Sequence, residues 1–114
     1  MTAGYRLRAL ARADLEAIWA YTVETWGIEQ AERYVESLFS VFDELAGNPQ
    51  LGRVRDEVLS GLRSFPQGRH VVFYEIDDAT ITIVGIVHQS ADVDSHLNPA
   101  YETETGAKRK DKHE

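Results

Sequence analysis

The sequence predicts an α+β fold: an N-terminal strand, an antiparallel helical hairpin, and then a three-stranded antiparallel meander. Three observations predict it. Residues 5–8 alternate, with Tyr5 and Leu7 on one side and Arg6 and Arg8 on the other, which is the period of an amphipathic strand. Two stretches of helical periodicity follow almost without a break between them. Residues 62–89 then read as a short strand, a tight turn and two longer strands, ending in the polar pair His88-Gln89.

In the first helical stretch Leu15, Ile18, Trp19, Thr22 and Trp26 fall at i, i+3, i+4, i+7 and i+11. They form one stripe on a helix that runs to Gly27, a residue suited to the position just past a helix end. In the second, Ala31, Tyr34, Val35, Leu38, Phe42 and Leu45 form the stripe, which stops at Gly47-Asn48-Pro49. Helices joined by one or two residues must fold back on each other. Residues 49–61 read as an irregular link, with Gly52 and Gly61 as breakers. The strands that follow are joined through Pro66-Gln67-Gly68 and Asp77-Asp78. The helical stripes place Trp19, Trp26 and Phe42 in the core. Glu29, Glu32 and Glu36 fall on the outward face of the second helix, where Glu29 and Arg33 form an ordinary i,i+4 pair.

The two long strands are apolar on both sides. Strict alternation puts His70, Val72, Tyr74 and Ile76 on one side of the first, with Val71 and Phe73 on the other. In the second strand it puts Ile81, Ile83 and Val87 together, opposite Val84 and Ile86. A sheet wetted on one face alternates apolar and polar residues, and these strands do not. A helical hairpin covers one face only. The second face therefore calls for a cover, for which an amphipathic helix from a partner is the simplest candidate. The chain's own residues 49–61 or its tail are the other candidates.

A chain of 114 residues with 43% hydrophobic and 10% aromatic content is long enough for a single globular domain with a sizeable core. The domain is expected over residues 1–97, followed by a disordered polar tail over 98–114. No apolar run spans a membrane, and the N-terminus lacks a secretory pattern, so the expected compartment is the cytoplasm. With no cysteine, disulfides, thiolate metal sites and cysteine nucleophiles are all excluded. Residues 1–100 carry eight arginines and no lysine against fifteen acids, while residues 101–114 balance four bases against four acids. An acidic domain of this kind is not a general nucleic-acid binder.

Nucleophile elbows, phosphate loops and dinucleotide fingerprints are missing, so no cofactor is expected. His88, Asp92, Asp94 and His96 are close in sequence, but such clusters after a last strand are ordinarily solvated, and no metal is expected. His88 at the end of an apolar strand reads as a polar cap or a partner contact. His70 reads as sheet packing beside Tyr74, and His96 and His113 lie in irregular sequence with little weight.

Several runs carry a family resemblance: DLEAIWAYTVETWGIEQAERYVESL, LAGNPQLGRVRDEVLSGLRSFPQGRHVVFYEI and IVGIVHQSADVDSHL. With the Asn48-Pro49-x-Leu51-Gly52 link, the Leu62-Arg63-Ser64-Phe65 strand and the terminal His88-Gln89, they resemble the ParE branch of the RelE/ParE toxin superfamily over residues 5–97. The resemblance implies the fold derived above and a toxin of a type II toxin–antitoxin pair. It implies a hetero-oligomer with a ParD-like antitoxin, whose C-terminal segment covers the open sheet face. It also implies DNA gyrase as the target, with no direct nucleic-acid contact and no catalytic residue.

The alternative implied by the RelE branch is a ribosome-dependent messenger RNA endoribonuclease. RNA cleavage needs a base, an acid and cations for the phosphorane charge. RelE-like enzymes supply lysines and arginines on the sheet with a terminal tyrosine or histidine. Here no lysine precedes Lys108, and Gln89-Ser90 follows His88, so only Arg63, Arg69 and His88 offer a reduced set. A third reading is a non-toxic module that only binds an antitoxin. Arg63, Arg69, Tyr74 and His88 are the expected antitoxin contacts, and residues 91–97 are the expected target contact.

Overall fold

A computed structural model describes residues 4–78 and 80–97. The expected tail over 98–114 lies outside the described residues. The elements run β1 (Tyr5–Leu7), α1 (Ala9–Trp26), α2 (Ile28–Gly47), a 3-10 turn (Pro49–Leu51), β2 (Arg53–Val54), β3 (Leu62–Gln67), β4 (His70–Asp77) and β5 (Thr80–His88). This is the predicted order with one addition. The link contains the two-residue strand β2, which pairs antiparallel with β3 at Arg53–Ser64 and Val54–Arg63. The sheet order is β1-β5-β4-β3-β2, with β1 parallel to β5 and every other pair antiparallel.

The helical hairpin turns on one residue. Gly27 closes α1 and opens α2 with φ 97 and ψ 165, a conformation only glycine reaches without strain. Leu15, Ile18, Leu38, Phe42 and Leu45 then pack over Val72, Tyr74, Ile81, Ile83 and Ile86 of the sheet. The edge of the Tyr5 ring meets Phe42, with centroids 5.3 Å apart. The second-helix stripe lies where periodicity put it. The first does not: Leu15, Ile18 and Thr22 are buried, but Trp19 is 37% exposed and Trp26 63%. Two indoles at the margin of the stripe lie on the solvent side of α1, whose inward face is completed instead by Ala11 and Asp14. The placement of Trp19 and Trp26 in the core is thus corrected.

Alternation also fails at one point in β5. Phe73 pairs with Gly85, and Tyr74 with Ile83, so Val84 is an extra residue opposite the junction. A bulge of this kind flips the sides of everything beyond it. Ile86 therefore joins Ile81 and Ile83 beneath the helices, while Val87 joins Val84 on the far side. This reverses the assignment that strict alternation gives to Ile86 and Val87.

The far face is not bare. Leu62, Phe73, Val84 and Val87 are covered there by Leu97, with Leu10, Val58, Leu59 and Val93 packed around them. Arg55 adds a cation over the Phe73 ring, 5.5 Å from its centroid. The chain's own link and C-terminal segment supply the cover, so the apolar far face does not by itself require a partner helix. No helix among the described residues is long and apolar enough to cross a membrane.

Candidate functional site

A cleft opens on the helix side, between the hairpin and the ends of β4 and β5 at His70 and His88. Its volume is about 670 Å³. Its apolar wall is Ile18, Tyr21 and Trp26 from the first helix, with Ile86 from the sheet as its floor. Tyr21 is 65% exposed, so both aromatic rings of this wall are offered to solvent. Thr22 also lines the cleft, with its hydroxyl returned to the Ile18 carbonyl at 2.7 Å.

The opposite rim is polar. Gly68 adopts φ 60 at the β3–β4 turn, and the Tyr34 ring lies against it so closely that a Cβ there would stand 2.6 Å from Tyr34 Cε1. This contact delivers the Tyr34 hydroxyl to the turn. The hydroxyl accepts the Arg69 amide at 3.1 Å, reaches the Gln67 carbonyl at 3.3 Å and hydrogen-bonds Nδ1 of His70 at 2.6 Å. His70 and His88 are direct cross-strand partners, with ring centroids 5.3 Å apart at 84°. Burial, and then the neighbouring His88, push the His70 pKa down to about 4. At neutral pH the ring is therefore uncharged. Burial pushes the Tyr34 phenol up, against a smaller opposite pull from Arg69.

The floor ends in a buried acid. Asp14, 8% exposed, accepts the Ile86 amide at 2.9 Å through one carboxylate oxygen and meets Nε2 of His96 at 2.8 Å through the other. Burial raises its pKa, and the Ile86 amide and His96 partly offset that rise. Asp14 and His96 both line the cleft.

The predicted site residues divide. Arg69 and His88 line this cleft and are exposed. Arg63 lies elsewhere: its guanidinium donates to the Gly52 carbonyl at 2.7 Å and reaches Gln50 O at 3.4 Å, holding the link against β3. Tyr74 is fully buried. Its hydroxyl donates to Pro49 O at 2.6 Å and accepts the Gly52 amide at 2.8 Å. A residue placed there cannot touch a docked partner, so Tyr74 is withdrawn as an antitoxin contact. Nor does the structure assemble Arg63, Arg69 and His88 as one catalytic set.

His88, Asp92, Asp94 and His96 also diverge. His88 Nδ1 accepts the Ser90 amide at 3.1 Å, Asp92 binds the Ser95 hydroxyl at 2.8 Å, and His96 turns to Asp14. Sequence reasoning missed Tyr34, Asp14 and Trp26 as cleft residues, and gave His96 too little weight. One signal was available: Asp14 stands at a buried position of α1, between Ala11 and Leu15. A carboxylate there needs partners, and a histidine was among the candidates.

Comparison with known proteins agrees with this architecture. A family model described as the ParE toxin of type II toxin–antitoxin system, parDE, matches residues 5–93. Toxin ParE1 of Mycobacterium tuberculosis strain H37Rv is 41% identical over 98 residues, covering 85% of this chain and 100% of that protein. Toxin ParE1 of Caulobacter vibrioides is 37% identical over 93 residues, covering 82% of this chain and 96% of the relative. Among solved structures, a chain of the chromosomal ParDE system from P. aeruginosa superposes with a TM-score of 0.65 at 21% identity, covering 76% of this chain and 96% of its own. A chain of the M. tuberculosis RelBE2 toxin–antitoxin complex superposes with a TM-score of 0.59 at 24% identity, covering 80% and 95%. At those identities the two structures speak for the fold, while the family model and the two curated toxins carry the assignment. The chain belongs to the ParE toxin family of type II toxin–antitoxin systems.

Proposed function

We propose that this toxin acts by binding rather than by catalysis: free, it inhibits DNA gyrase, and a ParD-like antitoxin silences it. The observation that carries the reading is the ParE family match over residues 5–93. Two features support binding over RNA cleavage. The domain carries no lysine before Lys108 and a net acidic charge, which suits a protein target better than a phosphate backbone. The one arginine within β3, Arg63, is committed to backbone carbonyls of the link.

The antitoxin's C-terminal segment docks, in this reading, in the cleft between the hairpin and the strand ends, not on the far sheet face. Trp26 and Tyr21 supply aromatic surface of the kind that anchors an amphipathic segment. Arg69 and His88 on the opposite rim suit carboxylates on the same segment. The target contact is placed on residues 91–97.

Induction of the chain alone in a bacterial host, with growth and a DNA-damage reporter followed together, tests the mechanism. Arrest with strong reporter induction supports gyrase poisoning. Arrest with a silent reporter and new messenger RNA 5′ ends would replace this reading with an endoribonuclease. Its candidates would be Arg69, His70 and His88, the titratable and cationic groups that the cleft rim brings together.

A further inference from the structure

The free edge of β5 shows why Asp14 is an acid. β1 leaves the sheet after Leu7, with Arg8 N–H to Ile83 O at 3.0 Å as its last link to β5. The bulge at Val84 follows directly, and the Ile86 amide beyond it points at Asp14 instead of at a strand. One oxygen satisfies that amide, and any small acceptor would do as much. The second oxygen does something the sheet does not need: it holds His96.

His96 is followed at once by Leu97, and the two go to opposite sides. His96 lines the cleft on the helix side, whereas Leu97 is 4% exposed in the far-face cluster with Phe73, Val84 and Val87. Its Cδ2 lies 2.9 Å from where a Cβ on residue 85 would stand, space that Gly85 leaves open. The helical turn over residues 93–97 thus straddles the edge of β5, pinned by one apolar side chain and one polar one. Tyr21 from α1, Tyr34 from α2, Arg69 from the turn, His70 from β4 and His88 from β5 line the same cleft. None of these provides His96 with a second carboxylate.

We infer that Asp14 is a positioning residue for residues 91–97: through His96 it fixes, from inside α1, the pose of the segment that meets the target. The inference rests on the placement of the target contact on that segment. It assigns a role in toxicity to a buried acid on α1.

Amide hydrogen exchange on the full chain, read beside inhibition of purified gyrase, tests it. His96→Ala leaves the Ile86 tether intact. It is expected to speed exchange over residues 93–97 about tenfold, the counterpart of one charge-assisted hydrogen bond, and to weaken inhibition by a similar factor. Exchange at Ile86 stays unchanged. His96→Gln, which keeps a hydrogen-bonding side chain near Asp14, restores both readouts toward wild type, whereas Asp14→Asn, which keeps an acceptor for Ile86 but loses the second oxygen, follows His96→Ala. If alanine prevents folding, His96→Leu keeps the bulk without the donor and carries the same expectation. Wild-type exchange over residues 93–97 in His96→Ala overturns the latch, whatever the inhibition does. Faster exchange with undiminished inhibition shows instead that the target contact lies elsewhere, and the positioning role falls with it.

Discussion

The half-buried His70 gives the fold a specific pH dependence. Its ordinary pKa of 6.5 falls to about 4, first through burial and then through His88 across the strand pair. The folded protein therefore refuses a proton that the unfolded chain accepts between those two values. Stability rises with pH across that window, is fully present above 6.5, and is lost as pH falls toward 4. At about 1.36 kcal/mol per pKa unit, the whole shift corresponds to at most about 3.4 kcal/mol. The ring keeps some solvent contact, which weakens both burial and the His88 repulsion, so about 1.5 to 2 kcal/mol is the working figure.

His70→Gln isolates this contribution, because its side-chain amide can still hydrogen-bond the Tyr34 hydroxyl, which lies 2.6 Å from Nδ1 in the parent. Urea unfolding at steps between about pH 7.5 and pH 4.5, for parent and variant, gives the difference in slope. The carboxylates that titrate in this range are common to both proteins. Asp14 among them works in the opposite sense, since a raised acid pKa makes the folded state gain stability as it takes up its proton. These contributions cancel in the comparison. The parent is expected to lose about 1.5 to 2 kcal/mol more than the variant as pH falls through the window. Parallel curves would mean that His70 charges freely in the folded state, and that the inner end of the cleft is wet.

Three further outcomes follow from the contacts. Tyr74→Phe deletes a buried hydroxyl that bonds Pro49 O and Gly52 N, and should cost about 2 kcal/mol in urea unfolding; a loss near zero would mean the link is held by Arg63 alone. Gly68→Ala forces a side chain into φ 60 and against the Tyr34 ring, so a loss of at least about 1 to 2 kcal/mol is expected by thermal unfolding. An unchanged midpoint would show that the turn and Tyr34 rearrange freely. Trp26→Ala removes a 63% exposed ring, so stability should move by no more than about 0.5 kcal/mol, while antitoxin affinity measured by calorimetry should fall at least about tenfold. Unaltered affinity would remove the cleft as the antitoxin's dock.

Much of the scaffold was legible because it rests on local rules. Gly27 ends one helix and begins the next in a conformation that glycine reaches cheaply, and the Ala31, Leu38, Phe42 and Leu45 stripe is buried as 3.6-residue periodicity requires. Arg69 and His88, picked out because they flank a turn and end a strand, both line the cleft. Other features depend on where the chain returns. Tyr74 looked like a surface contact on an apolar face, but its ring lies in the core beneath the helices and the 49–52 link binds its hydroxyl. Trp26 reads as core on a helical wheel, but as the last residue of α1 it stands exposed at the cleft. Nothing local signals either outcome, whereas an aspartate inside the α1 stripe was a visible request for a partner.

The single residue that most shapes the cleft is Val84. Without its bulge, strict alternation puts His88 on the side away from Ile81 and Ile83. With it, Ile86 and His88 are carried to the helix side, where Ile86 forms the cleft floor and His88 faces His70 edge to face. The same irregularity falls near the point where β1 departs, and the Ile86 amide beyond it is left for Asp14. Gly85 beside it then admits Leu97 against the sheet. Cleft and C-terminal latch therefore have one structural origin. A deletion of Val84 that restored alternation would turn His88 out of the cleft and strip Asp14 of its amide in one step. That is why a period-2 reading recovers the strand while losing the site it builds.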